Sequence, residues 1–367
     1  MDRFWYNADM RQVDLAGKVQ TVLGTITPQE LGITLPHEHC LVDIACWFTE
    51  PAEASQKAFA YQPVTPENFG WVRYNPMSIE DNLQLLDEEI AIKELLLFKG
   101  AGGRSLVDPT NVGIARDPLA LTRIARITGL NIIMGSGYYA EPSHPPGMDS
   151  KSEEEIAEEI VRDITVEVGN TGVRAGIIGE IGCSWPLTDN ERKVLRASAR
   201  AQQITGAALT LHPGRHETAY MGILDILDDA GADLSRVIME HVDRGIFDHA
   251  KRLQVMEDCA GRGCYLEYDG FGHESYLPLT LTAGRGIDRI NDRQRVDDIY
   301  KLIDRGYLRQ LLVSQDCCWK INLRHYGGGG YAHILNNVLP RMRDHGIPDE
   351  AIHTIMVENP KPVLAFV

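Results

Sequence analysis

The sequence predicts an α/β fold of the TIM (β/α)8 barrel type, and three observations carry that reading. Short β-rich runs alternate with longer segments of helical period from about residue 33 to the end. Alternation of that kind calls for parallel strands joined by crossover helices. The β-rich runs number eight, the count that closes a parallel sheet into such a barrel. No Gly-x-Gly-x-x-Gly follows any of them, so an open doubly wound sheet is the weaker alternative.

In chain order the β runs fall at residues 33–39, 105–108, 131–135, 175–180, 208–212, 237–241, 265–268 and 311–316. Segments of helical period lie between them at 78–99, 118–128, 152–168, 189–205, 216–230, 248–262 and 294–304. The run Ser78-Ile-Glu-Asp81 puts acids in a first turn, as a helix start should. Two connections break the rhythm. Residues 40–75, after strand one, are long and aromatic, with Trp47, Phe48, Tyr61, Phe69, Trp71 and Tyr74; residues 269–291 form a second long connection after strand seven. Long loops in a compact domain usually bind or cover a ligand, and loops that follow barrel strands sit on the active face. The glycine run 327–330 suits either close approach to a ligand or a plain turn. A single domain is expected over residues 1–367, with 1–30 as an N-terminal extension packing on the barrel.

Hydrophobic residues make up 44% of the chain and charged residues 24%, so a packed core is expected. Thirty-six basic against 52 acidic residues leave a formal charge of −16, which repels nucleic acid and anionic membrane. No run approaches the length of a transmembrane helix. The first 18 residues carry Asp2, Arg3, Asp9, Arg11 and Asp14 and lack the apolar middle of a signal peptide. Seven scattered cysteines with no Cys-x-x-Cys pair read as reduced thiols, and the adjacent Cys317 and Cys318 as packing residues. The expectation is a cytoplasmic protein with a small-molecule substrate and neither nucleic acid nor membrane as partner. A homodimer stays open.

The chemistry gathers at the strand ends. Strand one ends in His37-Glu38-His39, and residues i and i+2 of a strand share a face. Strand four ends in Glu180, strand five in His212, strand six in His241 and strand eight in Asp316. One polar residue at a strand end is ordinary structure. Four histidines and two carboxylates at the ends of five barrel strands are not explained as satisfied core polar groups. Six such ligands are too many for one tetrahedral zinc with an open position; they suit two divalent ions sharing a bridging carboxylate and a bridging hydroxide. The donor set favours zinc, with manganese, iron, cobalt or nickel as substitutes.

These motifs, with Gly17-Lys-Val-Gln-Thr-Val-Leu-Gly24, Thr34-Leu-Pro-His-Glu-His39, Gly176-Ile-Ile-Gly-Glu-Ile-Gly-Cys-Ser-Trp-Pro-Leu-Thr188, Glu191-Arg-Lys-Val-Leu195, His212-Pro-Gly-Arg215, Gly263-Cys-Tyr-Leu-Glu-Tyr-Asp269 and Glu358-Asn-Pro-Lys361, make the chain resemble the phosphotriesterase-like branch of the amidohydrolase superfamily. It is most similar there to the phosphotriesterase-related group, also labelled resiniferatoxin-binding. The resemblance implies that His37, His39 and Asp316 bind a buried ion, that His212 and His241 bind a more exposed one, and that Glu180 bridges them. Phosphotriesterase itself bridges with a carboxylated lysine, so this chain departs there.

The reaction expected is attack of a metal-bridging hydroxide on a small ester, lactone or amide, with Asp316 taking the proton and passing it to the leaving group. Arg244 and Arg215, each three residues beyond a ligand histidine, and Tyr268 and Trp319 as pocket walls are the expected substrate contacts. Surface ion pairs are the alternative for the two arginines, and aromatic packing for the other two. Two other functions stay open: a metal-bearing ligand-binding protein with little catalysis, and phosphotriesterase activity as a weak side reaction.

Overall fold

The computed structural model describes residues 15–274, 276–277 and 287–367. Eight strands form one sheet: β1 (Thr34–Leu35), β2 (Ser105–Asp108), β3 (Asn131–Ser136), β4 (Ile177–Gly182), β5 (Leu209–His212), β6 (Val237–Met239), β7 (Tyr265–Tyr268) and β8 (Leu311–Val313). They lie side by side in sequence order, and every neighbouring pair is parallel. The barrel the sequence predicts is the fold observed.

The predicted strand one is shortened. Pro36 has no N–H for a ladder, and the ladder stops at Leu35. Beyond it the seam between β1 and β8 is closed by side chains. Ser314 Oγ accepts from His37 N at 3.1 Å and donates to His37 O at 2.6 Å. Glu38, fully buried, accepts from the backbone N–H groups of Gln315 at 2.7 Å and Cys317 at 3.0 Å. Burial pushes its carboxyl up to about 7, against the pull of those two hydrogen bonds. Strands six and eight also end early, at Met239 and Val313, because the chain then turns. His241 and Asp316 have φ of 53° and 49°, a left-handed conformation that non-glycine residues rarely adopt outside sites that hold it in place.

The barrel interior and its helical shell are separate cores. Val107, Ile133, Ile177, Ile238 and Leu312 point inward from five strands, with Ala208 just ahead of β5, and pack on Val19 and Leu31 below them and on Val363 and Leu364 near the C-terminus. Their strand neighbours, such as Leu106, Ile132 and Leu311, face the helices, the period-two alternation of a strand. The N-terminal extension reaches this plug as a hairpin of Val19–Thr21 against Gly24–Ile26. Gly17 N bonds Phe366 O at 2.8 Å, so the two ends of the described chain meet there. Residues 1–14 of the extension lie outside the described residues.

Seven crossover helices cover the sheet: α1 (Glu88–Gly100), α2 (Pro118–Thr128), α3 (Glu153–Thr165), α4 (Asp189–Thr205), α5 (Ala219–Asp229), α6 (His249–Gly261) and α7 (Asp292–Asp304). The helix expected from residue 78 starts ten residues later. Its cap is Asp87, which accepts from Glu89 N and Ile90 N and thereby satisfies orphan donors. The earlier acids belong to a 3-10 turn, where Asp81 ties Val64 N at 2.8 Å and Lys320 at 2.6 Å.

The long connection after β1 carries a short pair, Val42–Asp43 with Gln84–Leu85, and the helices Ala54–Ala60 and Phe69–Tyr74. In the connection after β7, Tyr276–Leu277 pairs with Ile287–Asp288; the rest of that expected loop between these two strands lies outside the described residues. The glycine run serves as a packed turn, since a Cβ on Gly328 would lie 2.2 Å from Asn322 O. Among the described residues no helix is long and apolar enough to cross a membrane.

Candidate metal centre and substrate pocket

All six expected ligands converge at the C-terminal end of the barrel, the end where such folds carry their chemistry. Four donor atoms face one another. His37 Nε2 lies 3.3 Å from His39 Nε2. Glu180 Oε1 lies 3.8 Å from His37 Nε2 and 3.2 Å from His39 Nε2. Asp316 Oδ1 is 3.6 and 3.5 Å from the same two nitrogens. Donors about 2.0–2.1 Å from one tetrahedral ion stand roughly 3.3–3.4 Å apart, so His37, His39 and Asp316 fit part of the shell of a divalent cation.

A second group shares Glu180. Its Oε2 is 2.6 Å from His212 Nδ1 and 3.7 Å from His241 Nε2, and those two nitrogens are 2.9 Å apart. The two carboxylate oxygens of Glu180 therefore face two different sets of histidines. The bulge in β4 places it there. The β4–β5 register shifts between Ile178 and Ile181, and Gly179, at φ +122°, leaves no room for a side chain, since a Cβ would sit 2.4 Å from Thr210 O. Burial alone would push the Glu180 carboxyl up, but the charges of His212 and His37 and bonds from His212 and His241 outweigh it and hold it well below the ordinary range.

Each imidazole is oriented from behind, and those supports are the residues that sequence reading missed. Asp269 Oδ1 lies 2.8 Å from His241 Nδ1, while its Oδ2 accepts from His241 N at 3.0 Å. Glu240 Oε1 and Asp269 Oδ2 stand 3.1 and 3.3 Å from His37 Nδ1. Thr110 Oγ1 is 2.7 Å from His39 Nδ1. Tyr139 Oη is 3.2 Å from His212 Nε2. Outer partners of this kind fix which ring nitrogen faces a metal. Two signals were present: Asp269 directly follows strand seven, and Glu240 directly precedes a ligand histidine.

Beside the ligands lies a small pocket of about 30 Å3 walled by Trp47, Tyr139, Trp319, Cys318, Met77 and Ile44. Three guanidinium groups enter it: the expected Arg215 and Arg244, and Arg289 from the connection after β7. Arg244 is not paired with Asp243, which binds Arg295 instead; its Nη2 lies 2.7 Å from His212 Nε2 and donates to Pro213 O at 3.3 Å. Trp319 lines the pocket as expected. Tyr268 does not. It is fully buried among the shell residues on the helix side of β7, because Glu267, next to it, takes the inward position opposite Leu312. His273 is buried, with Nδ1 2.7 Å from Arg289 Nη1 and its ring against Trp319.

The sequence model of the phosphotriesterase family matches residues 17–364. An N-acetyltaurine hydrolase from Xenopus tropicalis is 43% identical over 353 residues, covering 96% of this chain and 99% of the relative. A phosphotriesterase-related protein from Nematostella vectensis is 42% identical over 354 residues, covering 96% and 99%. Among solved structures, a resiniferatoxin-binding protein from Rhodobacter sphaeroides superposes with a TM-score of 0.89 at 38% identity, covering 95% of each chain.

Proposed function

The chain belongs to the phosphotriesterase family and is a hydrolase; we propose that it cleaves a small N-acyl amide, N-acetyltaurine or a close analogue, at a centre of two divalent ions. The observation that carries this reading is Glu180, whose Oε1 and Oε2 face separate sets of nitrogens. A carboxylate buried to 2% exposure between four imidazoles suits a bridge between two cations better than any single ion pair. His37, His39 and Asp316 would hold one ion and His212 and His241 the other, with zinc the best match to the donor set. When bound, the ions would lower the pKa of a water and polarise the scissile carbonyl.

The chain's own residues divide the remaining work. Asp316 Oδ1 faces His37 and His39, while Oδ2, 3.9 Å from His241 Nδ1, is the basic atom available to an attacking water. Asp316 takes that proton as the C–O bond forms and delivers it to the amide nitrogen as the C–N bond breaks, releasing a carboxylic acid and an amine that settle as carboxylate and ammonium. Trp47, Tyr139 and Trp319 confine the acyl group and exclude bulk water. The identity of the relatives supports the amide over an ester or lactone, which stay as competing substrates. The test is turnover of N-acetyltaurine, an acetate ester and a γ-lactone by the zinc-loaded and manganese-loaded protein. A kcat/KM at least tenfold higher for the amide supports the reading. Preference for the ester or lactone, or no turnover of any of the three, overturns it.

A further inference from the structure

We propose that Arg215, Arg244 and Arg289 form a receptor for a pyramidal oxyanion head group, so that the site selects a sulfonate over a carboxylate of the same length. The inference rests on the amide-hydrolase reading above for the reacting end of the substrate, but its own grounds lie in the pocket.

Three connections, those after β5, β6 and β7, each deliver one guanidinium to the same pocket. Of the other buried arginines, Arg252 pairs with Asp298 and Arg295 with Asp243 and Asp292, while Arg236 donates to the backbone carbonyls of Pro362, Val363 and Ala365. Glu180 and Asp316 line the same pocket, yet among the described residues none of the three arginines is paired with a carboxylate, although the chain carries 52 acidic residues. Arg215 Nε and Arg289 Nε are buried and have no hydrogen-bond partner. Burial and then the neighbouring charge of Arg244 push Arg215 down to about 9 and Arg289 down to about 10. Three like charges and unsatisfied donors in one desolvated space are unfavourable without an anion to receive them.

The arrangement also selects shape. Arg244 donates to Pro213 O and lies beside the His212 ring. Arg289 is fixed by His273 Nδ1 and by stacking 4.8 Å over the Trp319 ring. A planar carboxylate presents only two oxygens, both in one plane, which a single guanidinium fork can engage together. A sulfonate offers three oxygens on a pyramid, one for each donor group. Arg244 touches a ligand histidine, so the head group sits close to the scissile bond and the spacer between them is short.

Calorimetry of the zinc-loaded protein with ethanesulfonate and propanoate reads the receptor without any turnover. The sulfonate is expected to bind at least tenfold tighter. Arg289→Met should weaken it by roughly 10- to 100-fold, the worth of a charge-assisted hydrogen bond, and bring the ratio of the two anions towards one. Arg289→Lys keeps the charge without the fork and should recover only part of the preference. In turnover, N-acetyltaurine against N-acetyl-β-alanine should show the same loss in KM with kcat little changed. Equal binding of the two anions by the wild-type protein, or an unchanged ratio in a folded Arg289→Met, overturns the receptor. Sulfonate selectivity without amide turnover would support the receptor while refuting the reaction.

Discussion

Asp269→Asn isolates the support behind the proposed metal ligands. The Asp269 carboxylate is almost inaccessible and holds both the ring and the backbone of His241, at 2.8 and 3.0 Å, while standing 3.3 Å from His37 Nδ1. That grip aims His241 Nε2 at Glu180 and His212. Asparagine keeps the volume, removes the charge and turns one of the two accepting atoms into a donor facing a donor. Loss of an outer carboxylate behind a metal-bound histidine weakens affinity about 10- to 100-fold, or about 1.4–2.7 kcal/mol. Because Asp269 serves two groups on His241 and borders a second ligand, the larger figure is expected. The assay is competition for zinc with a chromophoric chelator, scored separately for the tighter and the weaker ion. Only the ion assigned to His212 and His241 should loosen by the full amount. A folded mutant holding both ions at wild-type affinity would refute the support.

Three further outcomes follow from the same geometry. Asp316→Asn should lower kcat by roughly 10²–10⁴, with metal content measured alongside because Asp316 is also a proposed ligand; near-normal kcat with both ions held would remove the proton-transfer role. Metal-free protein should reload equally well with and without bicarbonate, and Glu180→Ala should lose metal and activity together, because Glu180 is already an anion; a bicarbonate requirement would point to a carboxylated lysine instead. Glu38→Gln should lower stability by about 1–3 kcal/mol, since its amide can no longer accept from both Gln315 N and Cys317 N; an unshifted urea midpoint at constant slope would show that the seam does not depend on it.

The barrel was legible because strand and helix periods differ and alternate eight times, and because the six proposed ligands stand at the places where the periodic runs stop. What the runs could not show is what happens past their ends. Pro36 stops the first ladder, and the seam is then closed by Glu38, whose partners lie nearly 280 positions away and become neighbours only when the sheet curls. His241 and Asp316 read as the last residues of strands, yet their left-handed backbone takes them out of the ladder. Tyr268 was placed on the wrong face. With Asp269 turned towards the histidines, period two puts Tyr268 outside and Glu267 inside, and that parity was available in the sequence. Arg289 was not. It follows an irregular connection with no periodic pattern, and only the folded chain sets it beside Arg215 and Arg244.

Counting ions tests the centre most directly. Elemental analysis of the zinc-loaded protein after removal of loosely held metal should give close to two ions per chain. His212→Ala should reduce the count to about one, and so should His39→Ala, each by emptying a different side of Glu180. A wild-type protein that holds one ion and takes up no second when zinc or manganese is supplied would contradict the two-ion centre and the bridging place of Glu180 with it.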